Sequence, residues 1–449
     1  MEVPFDVWSS LCEEYKKYNY IDPADFVRYH VKRGLRNEDG TGVMAGLTRV
    51  CNVRGYIVDD GERIPIPGQL NYRGISLDEI VKGCDSDERF GFEEVVWLLL
   101  FGYLPTKEKL QWFRDTLSKM RELPHSFAED MIIKAPSRNV MNKLARSVLA
   151  LYSYDENPDD ISLENVLRQS LGLIGKLPVI MSYAYQVKRR HYDGDSMFFH
   201  PIDPNHSTAE CILSSIRPDR KFTHHEAIIL DRCLMLHADH GGGNNSTFTT
   251  RVLSSTGTDT YAAISAAIGS LKGPKHGGAN IKVLEMMNDI KANVADISDE
   301  GQIKDYIVKI LKKEANDRTG LVYGMGHAVY TISDPRATLI KKMAQEMCEK
   351  NGLEADFKLL DAIERLTPDI LCELKGRKQY ICANVDLYSG LVYSALGIPG
   401  ELFTPIFAIA RVAGWSAHRM EELATDSRIM RPAYKAVWHK QPYIDMNDR

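Results

Sequence analysis

Apolar residues recur along this chain mainly at helical spacing. In 302–315, Ile303, Tyr306, Ile307, Ile310 and Leu311 share one face, with Lys309, Lys312 and Lys313 elsewhere on the wheel. That pattern predicts an amphipathic helix on a domain surface. Residues 92–101 and 228–236 are apolar almost all round and are expected to lie deep in a core. The stretch 262–271 is rich in Ala, Gly and Ser, which permits close contact between helices. Strand signals are few: 53–58 and 63–67, separated by Asp59-Asp60-Gly61, read as a short hairpin. Residues 1–40 carry charged helical segments without turn punctuation until Asn37-Glu38-Asp39-Gly40, and read as an appended helical arm at a subunit contact. There is no fixed-period repeat and no low-complexity tract.

A chain of 449 residues exceeds one ordinary core, so two or more domains are expected. Apolar residues make up 44% and charged residues 26%, ordinary for a globular enzyme. A net charge of −5, well mixed, leaves no footprint for nucleic acid or an anionic membrane. The basic run Lys188-Arg189-Arg190-His191 reads most simply as a solvated helix end, with a phosphate-bearing ligand as the alternative. Eight cysteines are scattered without a CxxC pair and read as reduced, buried small hydrophobes. The start Met1-Glu2-Val3-Pro4-Phe5-Asp6 lacks the basic and apolar regions of a signal peptide and is too acidic for a mitochondrial presequence. No stretch has the apolar length of a membrane span. The expected compartment is cytoplasmic.

Chemistry concentrates in three short segments: Gly273-Pro274-Lys275-His276-Gly277-Gly278-Ala279-Asn280, Gly324-Met325-Gly326-His327-Ala328-Val329-Tyr330 and Asn384-Val385-Asp386-Leu387-Tyr388-Ser389-Gly390. Each sets one ionisable group among glycines or small residues, where the backbone turns sharply and approaches a ligand closely. Two histidines and a carboxylate suffice to move protons to and from carbon and carbonyl oxygen. Arg411 stands in an otherwise apolar helix, where it is costly unless paired; a bound carboxylate or an internal Asp or Glu would serve. His237-Ala238-Asp239-His240 has spacing that places both rings on one helix face, but no cysteine cluster or further ligand completes a zinc set. Gly241-Gly242-Gly243 is no P-loop, since no Gly-Lys-Ser/Thr follows.

Together the three segments, continued by Asp334-Pro335-Arg336, resemble those of the citrate synthase family, which includes the 2-methylcitrate synthases. The likeness begins near Gly46-Leu47-Thr48, runs through Tyr72-Arg73-Gly74-Ile75 and 92–100, and reaches Arg431-Pro432. It implies an all-α fold in which a smaller helical domain, 272–381, is inserted into a large one formed by 41–271 and 382–449, with residues 1–40 outside as the arm. The site would lie in a cleft that closes on substrate.

The resemblance implies a Claisen-type condensation of acetyl-CoA with oxaloacetate, then hydrolysis of citryl-CoA, without metal or redox cofactor. Asp386 would be the base at the acetyl methyl, His276 the neutral donor to the thioester oxygen, and His327 the donor to the ketone. His240, Arg336, Arg411 and, across a homodimer, Arg431 would hold oxaloacetate, while His237 would be structural. Ser246 and Leu321, Val322, Tyr323, Gly324, Met325 and Gly326 would serve CoA, with Arg377 and Lys378 as phosphate partners. The alternatives are a 2-methylcitrate synthase using propionyl-CoA and a non-catalytic CoA-binding scaffold. Two departures stand out: Gly241 follows His240 where a Glu is usual, and Ala433 follows Arg431-Pro432 where a second Arg is common.

Overall fold

The computed structural model describes residues 5–60, 62–376, 380–425, 428–438 and 440–448. It is mainly helical. Helices α1 (Phe5–Tyr18) and α2 (Pro23–Arg28) precede a three-stranded antiparallel sheet, β1 (Cys51–Asp59), β2 (Glu62–Tyr72) and β3 (Ile75–Ser76). There follow α3 (Leu77–Ser86), α4 (Phe92–Phe101), α5 (Lys107–Lys119), α6 (Val140–Leu151), α7 (Leu163–Lys188), α8 (Thr208–Ile216), α9 (His224–His237), α10 (Asn245–Ser254) and α11 (Thr260–Lys272). Helices α12 (Ala279–Asn293), α13 (Glu300–Leu311), α14 (Pro335–Asn351), α15 (Glu354–Lys375), α16 (Asp386–Ala395) and α17 (Phe403–Ala424) complete the described elements of this length. The described residues up to Gly46 and from Met430 onward group as one compact unit, and Leu47–Ile429 as another.

Within the larger unit α17 is the axis of the core. Every residue from Phe403 to Arg419 is buried, and the helix packs on α4, α7, α9, α10 and α11. Helix α4 spans the predicted all-apolar stretch, with Phe92 through Leu100 buried. Its two acids are put to use. Glu93 accepts the Thr208 N–H at the start of α8 at 2.8 Å, and Glu94 pairs with Arg89. The start of α4 is itself capped by Asp231, which accepts the Gly91 and Phe92 N–H groups at 2.7 and 3.1 Å. Such partners are what make buried charge tolerable. The small-residue stretch becomes α11, packed closely on α6 and α10.

Three local expectations need correction. The surface helix predicted over 302–315 ends at Leu311, because Lys313, Asn316 and Arg318 take positive φ without glycine to signal it. The hairpin is longer than 53–58 with 63–67, and its register shifts between Arg54 and Tyr56, at Gly55. The basic run at the end of α7 is ion-paired rather than freely solvated: Lys188 meets Asp193 at 2.7 Å and Glu401 at 2.8 Å, and Arg189 meets Asp195 at 2.8 Å. Of the eight cysteines, Cys12 is exposed, Cys372 intermediate and the rest buried.

Candidate active site

Two of the glycine-rich segments are stitched together by backbone. Met325 and Ala383 form an antiparallel bridge. Gly326 N donates to Cys382 O at 2.8 Å, Asn384 N to Gly324 O at 2.9 Å, and Asn384 Nδ2 to Gly326 O at 2.9 Å. Gly324 has φ +82°, and a Cβ there would sit 2.9 Å from Leu387 Cα. Only glycine allows this approach. His327 and Asp386, far apart in sequence, are thus delivered from one small backbone pairing, with Asn384 Oδ1 accepting the Asp386 N–H at 3.0 Å.

His327 is oriented by its own loop. Its Nδ1 accepts the Val329 and Tyr330 N–H groups at 3.0 and 3.1 Å, so the ring carries its proton on Nε2. The ring stacks on Tyr330, centroids 4.6 Å apart, and lies edge-on to His240 at 5.0 Å. The hairpin braces this loop from outside. A Cβ on Gly55 would meet Val329 O at 2.5 Å, and one on Gly68 would meet Ser333 O at 2.1 Å. Gly68 N donates to Ser333 O at 3.1 Å, and the Tyr330 hydroxyl to Gln69 O at 3.3 Å.

The third segment enters from α11. Gly277 N donates to Leu271 O at 2.9 Å in a turn where a Cβ would lie 2.4 Å from that oxygen. His276 Nε2 lies 3.0 Å from Ser246 Oγ, which also accepts the Trp415 indole N–H at 3.1 Å and sits 2.9 Å from Asn244 Oδ1. Burial, with the Arg411 charge, pushes the His276 pKa down to about 4, so the ring is neutral at physiological pH. Asp386 is shifted the other way. Its Oδ1 is buried without a partner among the described residues, and burial pushes its pKa up to about 6 against the pull of Arg336 and Arg411.

The two arginines differ. Arg336 makes an internal ion pair: Nη2 and Nε reach the two oxygens of Asp334, the N-cap of α14, at 2.7 and 3.1 Å. Among the described residues Arg411 has no such pair. It is 0% exposed, its Nε donates to His237 O at 2.6 Å, and no described group partners Nη1 or Nη2. Its guanidinium lies over the Phe407 ring, 4.7 Å from the centroid. Burial pulls its pKa down to about 10. His240 Nε2 is likewise buried without a partner among the described residues, and burial with the Arg336, His327 and Arg411 charges holds its pKa well below the usual value. Charge from Arg411 reaches Asp386, His276, His237 and His240, and charge from Arg336 reaches all of these but His276, so the groups crowd around two guanidiniums.

His237 is fully buried against Phe407 and Tyr393, and among the described residues no three His, Cys, Asp or Glu side chains are grouped to hold a metal. Gly241 takes φ +80°, a conformation that a Glu would adopt only under strain, with Val53 3.0 Å from where a Cβ would stand. Leu321 is exposed, Val322 buried, and Tyr323 donates its hydroxyl to Asp317 at 2.5 Å, ahead of the Gly324–Gly326 turn. Ser246 is buried, with its hydroxyl against His276. Arg377 and Lys378 lie outside the described residues. Arg431 is exposed and belongs to the terminal unit. Sequence reasoning missed Asp334, Trp415, His418 and the bracing glycines; for His418 a signal existed, because it stands two helical turns after Arg411 on one face.

A family model described as the citrate synthase C-terminal domain matches residues 38–433. The chain is 32% identical to a citrate synthase of Synechocystis sp., over 91% of this chain and 92% of that one. It is 31% identical to 2-methylcitrate synthase 1 of Corynebacterium glutamicum, over 92% and 97%. Among solved structures it resembles a citrate synthase of the thermophilic archaeon Thermoplasma acidophilum, a ternary complex with carboxymethyl coenzyme A and oxaloacetate. That likeness has a TM-score of 0.75 at 25% identity and covers 93% of this chain and 99% of that one.

Proposed function

The chain belongs to the citrate synthase family, and we propose that it condenses acetyl-CoA with oxaloacetate and hydrolyses the citryl-CoA formed. The observation that carries this is Arg411: a buried guanidinium with an unpartnered fork, beside a carboxylate of raised pKa and a neutral imidazole. A planar cation of that kind fits a substrate carboxylate through two parallel bonds. Asp386 takes a proton from the acetyl methyl while neutral His276 donates to the thioester oxygen, giving an enol rather than a free enolate. The enol carbon attacks the ketone carbon while the enol O–H proton returns to His276 and His327 Nε2–H protonates the ketone oxygen as it becomes the hydroxyl; the proton held by Asp386 then replaces the one His327 gave. Water then cleaves the thioester, releasing CoA and citrate.

Arg336, with His240, completes the keto-acid end, and Arg431 of the partner subunit supplies a further cation. Exposed Leu11, Tyr15, Val27, Met44, Tyr434, Trp438 and Tyr443 in the terminal unit support a homodimer, since such side chains ask for cover. Residues 272–381 act as the inserted domain that closes the cleft, and Leu321–Gly326 cradles the CoA adenine. The reaction needs no metal or redox group, because acid–base groups and arginines supply every step. No described helix is long and apolar enough to cross a membrane; scattered, mostly buried cysteines support a cytoplasmic setting.

Relatives of both acyl specificities exist, and one methyl in a pocket shifts discrimination by only about 1–3 kcal/mol. Steady-state kcat/KM for acetyl-CoA and propionyl-CoA, each with oxaloacetate, decides it. We expect acetyl-CoA to lead; a preference of about tenfold for propionyl-CoA, close to 1.4 kcal/mol, would make this a 2-methylcitrate synthase.

A further inference from the structure

Behind His240 runs a buried chain of polar contacts that the reaction above leaves unused. His418 on α17 is fully buried, and its Nδ1 faces Arg251 Nη2 at 2.7 Å and Nε at 3.2 Å. A guanidinium only donates, so Nδ1 accepts and the ring proton sits on Nε2, 3.2 Å from Asp239 Oδ2. Arg251 is held in turn by Glu422 at 2.7 Å and by Glu421. Asp239 Oδ2 also accepts the Gly241 N–H at 2.9 Å.

The backbone on either side is clamped by the same parts. Gly414 on α17 leaves room for Asp239, whose Oδ1 would lie 2.3 Å from a Cβ there, and its N–H donates to Ala238 O at 3.1 Å. The Tyr72 hydroxyl reaches Met235 O at 3.0 Å and Asp239 O at 3.2 Å. The turn after His240 lies on the Arg251–His418 contact: a Cβ on Gly242 would stand 3.3 Å from Arg251 Nε and 3.7 Å from His418 Cε1. Asp239 is also the main anion offsetting the Arg411 charge, while Arg336 opposes it.

We propose that His418 and Arg251 are positioning residues for the keto-acid half of the reaction. Through Asp239 they hold the backbone that aims His240 and keep an anion fixed behind Arg411. The proposal rests on the reading of His240 and Arg411 as oxaloacetate ligands. It makes His418 specific in its chemistry: the side chain must accept from Arg251 and donate to Asp239 at once. Glutamine does both, with its amide oxygen and its NH2 group, and leucine does neither.

The test compares wild type, His418→Gln, His418→Leu and Asp239→Asn by steady-state kinetics in both substrates and by thermal unfolding. Loss of a hydrogen bond to a charged group predicts that His418→Leu raises KM for oxaloacetate about ten- to a hundredfold, with KM for acetyl-CoA within about twofold. His418→Gln should recover most of the loss. Equal losses for both substrates, or equal losses in the Gln and Leu variants, would make the chain merely structural and overturn the proposal. If His418→Leu does not fold, Asp239→Asn decides, since it keeps shape and the bond from His418 but removes the charge. A raised oxaloacetate KM there supports the proposal, and an unchanged one overturns it. Absence of condensation by wild type would sink the reaction itself; normal wild-type turnover with unaffected variants would sink only this inference.

Discussion

Replacing Arg411 by leucine should separate stability from binding. In the free protein the guanidinium is fully buried, and the fall of its pKa from 12.5 to about 10 means that folding disfavours its charged form by about 3 kcal/mol. Arg411→Leu removes that penalty. It also removes the bond to His237 O, about 1.5–3 kcal/mol for a charged donor, and the contact with Phe407, about 1 kcal/mol. The two sides nearly cancel, so urea unfolding should shift by no more than about 1–2 kcal/mol. Oxaloacetate, however, loses two charge-assisted bonds at Nη1 and Nη2, about 3–6 kcal/mol, or about 10²- to 10⁴-fold in affinity. Calorimetric titration with oxaloacetate beside the unfolding curves checks both halves. Affinity held within about threefold, with stability down by more than about 3 kcal/mol, would show that Arg411 is a structural ion and refute the reasoning.

Four further outcomes can be checked. A carboxylate base works only when ionised, so with Asp386 in the proposed role kcat/KM should fall below about pH 6 with unit slope, and a flat profile down to pH 5 would contradict the shift. Because its folded pKa is raised above 3.8, stability is lost as pH rises from 3.8 to about 6; Asp386→Asn should therefore be more stable than wild type at pH 7, with the difference vanishing below about pH 4. Gly68→Ala forces a Cβ to within 2.1 Å of Ser333 O and should lower both stability, by about 1–3 kcal/mol, and kcat, whereas Gly83→Ala in α3, with nothing within 4 Å, should do neither. For sharing between subunits, Asp386→Ala and Arg431→Ala homodimers should each be nearly inactive, while an equal refolded mixture recovers about a quarter of wild-type activity; mixed dimers without recovery would place Arg431 outside the neighbouring site.

The candidate chemistry is legible in the sequence because it is local. His276, His327 and Asp386 each sit in a segment whose glycines announce a tight turn, and Arg411 stands out as a cation in the apolar run 403–417. Helix α4 also falls where its unbroken apolar run puts it. What stayed hidden depends on pairing across the chain. Nothing near Met325 points to Ala383, though their bridge brings His327 and Asp386 together. Gly55 and Gly68 look like ordinary strand interruptions until Val329 and Ser333 come against them. The partner of Lys188 at Glu401 is equally remote. The early end of α13 escaped for a different reason: Lys313, Asn316 and Arg318 turn left-handed without glycine.

The most direct measurement is proton exchange at the acetyl methyl. Acetyl-CoA in deuterated buffer, with a keto-acid analogue that fills the oxaloacetate site without condensing, should lose methyl protons by NMR when wild-type protein is added. Asp386→Asn should still bind the analogue and exchange nothing above background, because the amide cannot take the proton. Near-normal exchange in that variant would contradict the assignment of Asp386 as the base on which the whole mechanism turns.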